Sequence, residues 1–158
     1  MTAPAPLPEG APVPGFSLEA DDGSVVTDRD LRGRWTVLFF FPKAMTPGCT
    51  TEACGFRDVF AELEAAGAAV FGISHDSVER QRRFRAKHGL PYRLLADPDR
   101  KVTTAFGVYG PKRFMGRETM GIHRTTFLVD PEGRIARVWR SVRVKDHPAE
   151  VLEAVRRL

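Results

Sequence analysis

Residues 39–57 read FFFPKAMTPGCTTEACGFR, and the fold turns on how this stretch divides. Its apolar start belongs to a longer run, residues 35–41 (WTVLFFF). That run is almost wholly β-branched, aliphatic or aromatic, the pattern of a central strand covered on both faces. Pro42 ends it, because proline has no N–H to give to a strand ladder. Thr46 then stands in a helix N-cap position, with Pro47 in the favoured first helical place. Ala53, Phe56, Phe60 and Leu63 recur at helical spacing and Gly67 follows, so a helix is predicted over residues 47–66. Both cysteines of the chain, Cys49 and Cys54, fall in its first two turns.

On the N-terminal side, residues 16–20 and 24–27 flank Asp21-Asp22-Gly23, a hairpin signal built on an Asp-Gly turn. On the C-terminal side, residues 68–75 (AAVFGISH) form a second buried strand. Ser77 can cap a helix that runs to about His88 and stops at Gly89 and Pro91. Residues 94–96 are a short strand, and Asp97-Pro98-Asp99 opens a helix to Phe106. Residues 107–121 are glycine-rich without periodicity and are expected to be loop. Residues 124–130 and 134–144 are strands joined at Pro131-Glu132-Gly133, and Pro148 starts a last helix over 149–158. Strands alternating with helices imply a mainly parallel sheet with helices on both faces, edged by an antiparallel hairpin.

At 158 residues, the chain suits one domain with a core that needs no disulfide. We expect an extended tail at 1–12 and a single domain at 13–158. The tail, rich in proline and alanine, has neither a basic start nor an apolar core, so no export signal is expected and a cytoplasmic setting is the default. No apolar run is long enough for a bilayer, so no membrane association is expected. The net charge of +4 comes mostly from arginine. Its densest run, residues 80–88 (RQRRFRAKH), reads as one solvated helix face. No aromatic stripe offers base stacking, so nucleic acid is not an expected partner. His75, His88, His123 and His147, with the two cysteines, lack the spacing of a zinc site, and neither metal nor cofactor is expected.

A free cysteine is most often a small core residue. Cys49 differs by its place in the first helical turn, where backbone N–H groups are unpaired and the dipole favours negative charge. That setting favours the thiolate, and Gly48 lets another group come close to the backbone. Easier ionisation alone gains little, because a thiolate that forms more readily attacks more weakly. A nucleophile here therefore needs donors aimed at its transition state.

Pro42, Thr46 and Cys49 match P-x-x-x-T-x-x-C, and PGCTTEACGFRD resembles the bacterioferritin-comigratory, or PrxQ, branch of the peroxiredoxins. The resemblance continues through LLADPDRKVTTAFGV, KRFMGRETMGIHRTTFLVD and VKDHPAEVL. It implies an α/β, thioredoxin-like fold, a central mixed sheet flanked by helices, here with an extra N-terminal β-hairpin. It further implies an antioxidant thiol peroxidase that reduces hydrogen peroxide and organic hydroperoxides. Such an enzyme is recycled by thioredoxin or a similar dithiol and uses no cofactor; a resolving cysteine within the same chain removes one need for a partner copy, so a monomer is expected, with pairing to a second copy left open. Cys49 resembles the peroxidatic cysteine, Thr46 the hydroxyl beside it, Pro42 the ring that shields the sulfur, and Arg124 the guanidinium that polarises the peroxide. Cys54 resembles the resolving cysteine, which captures the Cys49 sulfenic acid in an intramolecular disulfide. Each residue has a plainer reading: Thr46 as a cap, Pro42 as a strand end, Arg124 as a surface charge and Cys54 as a small buried residue.

Ala44-Met45 fills a gap where relatives often carry polar residues, and Phe41 replaces a frequent tyrosine; both bear on peroxide preference. A thiol–disulfide exchange protein on the same fold is the main alternative, disfavoured because four residues rather than two separate the thiols. On one ideal helix, five residues advance about 7.5 Å and turn about 140°, which separates the two Cα atoms by about 8.6 Å. A disulfide spans no more than about 7 Å. The helix is therefore expected to unwind before Cys54 reaches Cys49.

Overall fold

A computed structural model describes residues 5–140 and 143–158, apart from the Phe114 side chain. Strand β3 (Trp35–Phe40) lies at the heart of a seven-stranded sheet. Its alternating side chains explain the run of apolar residues. Val37 and Phe39 point to one face, where Phe39 stacks on Phe56 with ring centroids 4.7 Å apart. Leu38 and Phe40 point to the other, where Phe40 meets Phe106 at 5.1 Å. Both layers are buried, as the pattern requires.

The helix after β3 is α1 (Pro47–Ala65), followed by β4 (Ala68–Ser74), α2 (Val78–His88) and β5 (Arg93–Ala96). Gly67 and Gly89 take the left-handed conformation after α1 and α2, which only glycine adopts cheaply. The Ser77 hydroxyl accepts from the Arg80 N–H at 3.2 Å, capping α2. The N-terminal hairpin is β1 (Ser17–Ala20) and β2 (Val25–Thr27), the pair expected around Asp21-Asp22-Gly23. After β5 come α3 (Lys101–Ala105), β6 (Tyr109–Phe114), β7 (Arg117–Ile122), β8 (Thr125–Val129), β9 (Ile135–Arg140) and α4 (His147–Arg156).

The sheet order is β2-β1-β5-β4-β3-β8-β9. Only β3–β4 and β4–β5 pair in parallel; the other four pairings are antiparallel. The sheet is mixed, and the expectation that it would be mainly parallel is corrected. Parallel neighbours need a crossover helix, and only α1 and α2 carry the chain back to a sheet neighbour of the strand before. Side chains from α1, α2 and α4 join the core on one face of the sheet, and Val102 of α3 joins the other.

Residues 107–121, expected to be loop, hold an antiparallel hairpin, β6–β7, which forms a sheet of its own. Met115 and Gly116 turn it, both with positive φ. The last strand ends at Arg140 rather than Val144, with residues 141 and 142 of that expected strand outside the described residues. Helix α3 starts at Lys101 instead of Asp97, because the Asp97 carboxylate accepts from the Thr103 N–H at 2.8 Å and Arg100 turns left-handed before it. Helix α4 starts two residues early, at His147. Of the expected tail, residues 1–4 lie outside the described residues, and Pro12 bridges Arg134 beside β9. No helix among the described residues is long and apolar enough to cross a membrane.

Candidate active site

The chain leaves β3 through residues 41–46, and this short loop delivers the N-terminus of α1. The β4–α2 connection braces it. Buried Asp76 accepts from the Ala44 N–H at 2.8 Å and from the Ser74 hydroxyl at 2.6 Å. Arg80 donates to Asp76 at 3.0 Å and to the Ala44 carbonyl at 3.0 Å. Arg100 donates to Nδ1 of His75 at 3.2 Å, which assigns the ring proton to Nε2. His75 Nε2 therefore donates to the Pro42 carbonyl at 3.0 Å. Between these holds Met45 takes a positive φ of 67°, a conformation that costs a non-glycine residue about 1–2 kcal/mol.

Cys49 lies in the first turn of α1, buried, with its thiol free. No side chain among the described residues caps this helix, and the positive end of its dipole lies beside the sulfur in the first turn. Thr46 occupies the cap position, yet its hydroxyl donates backwards to the Lys43 carbonyl at 2.7 Å. The hydroxyl oxygen keeps its lone pairs for another donor.

Arg124 enters from just before β8. Thr125 pairs with Phe40 in the antiparallel register, so Arg124 stands opposite the start of the loop. Its Nη2 donates to the Cys49 sulfur at 3.4 Å, and its Nη1 donates to Glu52 Oε1 at 2.7 Å. Gly48 eases this approach: a Cβ there would sit 3.3 Å from Nη2, tight enough to push the guanidinium back by a few tenths of an ångström. The Arg124 side chain is 18 % exposed and that of Glu52 fully buried. Burial outweighs the Arg124 charge and pushes the Glu52 carboxyl up to about 7. On Arg124, burial favours the neutral form, but Glu52 and Cys49 more than offset it and raise its pKa. Lys112 on β6 is a second cation nearby. Burial and the Arg124 charge lower its pKa while Cys49 opposes them, and its ammonium donates to the Ile122 carbonyl at 2.7 Å.

Cys54 sits one and a half turns along the same unbroken helix, half-buried and free. The arrangement is a thiol at a helix mouth, a hydroxyl three residues before it and a two-pronged guanidinium bridging it to a buried acid. Residues 10–138 match the AhpC/TSA family. The chain is 46% identical over 147 residues to the Bacillus subtilis protein named peroxiredoxin Bcp, covering 93% of this chain and 94% of that one.

This chain is a peroxiredoxin.

It belongs to the bacterioferritin-comigratory, or PrxQ, branch, and it is a peroxidase, an oxidoreductase. The Escherichia coli peroxiredoxin Bcp is likewise 46% identical, over 93% of this chain and 94% of that one. Among solved structures, Xylella fastidiosa PrxQ superposes with a TM-score of 0.91 at 33% identity, covering 97% of this chain and 98% of that one. The Xanthomonas campestris bacterioferritin comigratory protein, whose structure is described in connection with alkyl peroxide reduction, superposes at 0.85 with 39% identity and 90% coverage of both chains.

Of the five residues singled out in the sequence, the peroxiredoxin brings Cys49 and Arg124 into contact, holds Pro42 and Thr46 in the loop before them and sets Cys54 further along α1. Sequence reading missed Glu52, Lys112 and the Asp76–Arg80 brace. Glu52 carried a readable signal: it is one helical turn from Cys49 and adjoins Ala53 and Phe56 on the face that packs inward. A carboxylate placed there calls for a cation. The brace had no such signal, since its members act through backbone groups of a distant loop. No cluster of three or more His, Cys, Asp or Glu side chains among the described residues is placed to hold a metal ion.

Proposed function

We propose that Cys49 is the peroxidatic nucleophile and Cys54 the resolving thiol of a hydroperoxide reductase recycled by thioredoxin or a similar dithiol. The observation that carries this reading is the Arg124 guanidinium, bonded at once to the Cys49 sulfur and to Glu52. Glu52 holds Arg124 by one nitrogen so that the other faces the sulfur and whatever oxygen approaches it. The Cys49 thiolate attacks the terminal oxygen of ROOH. A sulfur–oxygen bond forms as the O–O bond breaks, giving a sulfenic acid and an alkoxide that takes a proton to leave as alcohol, or as water when R is hydrogen. Arg124 is aimed at the oxygens on which charge builds, the Thr46 hydroxyl joins it by turning its proton from the Lys43 carbonyl to the incoming peroxide, and the Pro42 ring shields the sulfur from water.

The Cys54 thiol then attacks the sulfenic sulfur. The disulfide forms, the S–O bond breaks, and water departs with the thiol proton. A dithiol reductant exchanges with the disulfide and restores both thiols. The alkyl peroxide activity described for the X. campestris relative supports organic hydroperoxides as substrates beside hydrogen peroxide. We place this chemistry within one domain, residues 13–158, acting as a monomer because both thiols ride on one helix. The cytoplasm, whose reductants keep such thiols free, is the fitting compartment.

Intact mass after one equivalent of peroxide tests the assignment. The protein should lose two hydrogens, Cys54→Ser should instead gain one oxygen, and Cys49→Ser should change in neither way. A Cys54→Ser variant that still recycled normally with thioredoxin would overturn the role of Cys54.

A further inference from the structure

Resolution requires α1 to open near Cys54, so any bond from a rigid element to that peptide sets how readily it opens. One such bond exists. The Tyr92 hydroxyl donates to the carbonyl of Ala53 at 2.6 Å, and that carbonyl belongs to the peptide joining Ala53 to Cys54. Tyr92 is buried at the entry to β5, with its ring against Phe39 at 5.7 Å and Phe60 at 6.1 Å. The next residue, Arg93, pairs with Phe71 of β4 in the sheet. The anchor is therefore fixed, and its burial pushes the phenol pKa well above the ordinary value, so the hydroxyl keeps its proton to donate.

Other holds on this part of α1 act elsewhere. Arg124 ties Glu52, Arg57 reaches the His88 carbonyl at 2.8 Å, and Pro148 of α4 packs against Gly55. Among the described residues only Tyr92 fastens the peptide that must move with Cys54.

We propose that Tyr92 is a positioning residue of the resolving step, a latch whose hydrogen bond to Ala53 holds the helix closed during peroxide attack and sets the rate at which Cys54 is released. The proposal rests on the assignment of Cys54 as the resolving thiol. While the latch is shut the sulfenic acid persists, and a second peroxide competes with Cys54 to carry the sulfur on to sulfinic acid. Latch strength thus sets how much peroxide the enzyme survives.

Tyr92→Phe tests this cleanly. The ring keeps its contacts with Phe39 and Phe60, and the Ala53 carbonyl still accepts its helical bond from the residue 57 N–H, so no buried group is orphaned. A neutral hydrogen bond of ordinary net strength corresponds to about a five-fold change in the opening equilibrium. Rapid-quench intact mass should show sulfenic acid forming at an unchanged rate and disulfide forming about five-fold faster. Sulfinic acid at a fixed excess of peroxide should fall by a similar factor. In the reduced protein, amide exchange over residues 53–57 should quicken about five-fold while β3 and β4 stay protected.

A merely structural role would loosen the whole protein without favouring the second step. Unchanged disulfide and exchange rates in Tyr92→Phe would overturn the latch. Wild-type protein that formed no disulfide would instead overturn the role of Cys54, and the exchange measurement would still judge the latch.

Discussion

Glu52 offers a prediction whose size follows from the structure. Its carboxyl is buried against Arg124, and Oε2 has no partner among the described residues. Burial raises its pKa from 4.5 to about 7. An acid raised in the folded state binds a proton there that the unfolded chain has already released. Its contribution to stability is therefore intact below about pH 4.5 and is lost as pH rises through about 7. Two and a half pH units at about 1.4 kcal/mol each amount to a loss of about 3 kcal/mol across that window.

Glu52→Gln removes the titration while keeping the volume and an oxygen to accept from Arg124. The new amide has a cost of its own, but that cost does not vary with pH and only displaces the curve. Other titrating groups are common to both proteins and cancel. Urea unfolding of reduced protein from pH 4.5 to 8, followed by fluorescence of the two tryptophans, gives the difference. The variant should gain about 3 kcal/mol on the wild type over this range. A difference that stays flat to within about half a kcal/mol would refute the reasoning: Glu52 would then ionise as an ordinary carboxylate, paired outright with Arg124.

Two further perturbations probe the same site. Arg124→Lys keeps a charge but cannot reach the sulfur and Glu52 together, so the second-order rate of Cys49 oxidation in stopped flow should fall about 10²–10³-fold, the worth of one aimed donor at a transition state; a fall under about five-fold would count against a direct role. Asp76→Ala leaves the buried Ala44 N–H unpaired and leaves Arg80 only its bond to the Ala44 carbonyl, so urea unfolding should show a loss of about 1–3 kcal/mol, with slower Cys49 oxidation as the loop relaxes. A variant as reactive as wild type would mean that the brace serves stability alone.

The central strand, α1, α2 and the N-terminal hairpin could be read from the sequence by itself. In each, a residue pattern of period 2 or 3.6 coincides with its own stop signal, Pro42, Gly67, Gly89 or Asp22-Gly23. The signature around Cys49 was as plain, because Pro42, Thr46 and Cys49 lie within eight residues of one another. Hairpin β6–β7 left no such trace. Among the described residues its strands pair only with each other, β7 is largely exposed, and Met115-Gly116 turns them without the usual Asn-Gly or Asp-Gly.

Tertiary structure alone decided how Arg124 reaches the sulfur and that Glu52, Lys112 and the Asp76 brace join it there. Arg124 is 75 residues from Cys49, and it arrives there because β8 runs antiparallel beside β3 in one register. The bonds of Asp76 to Ala44 and of Tyr92 to Ala53 span 32 and 39 residues. Contacts of this kind depend on which strands become neighbours. Local propensity says where a strand or helix begins and ends, while the choice of neighbour follows from burying both faces of β3 at once.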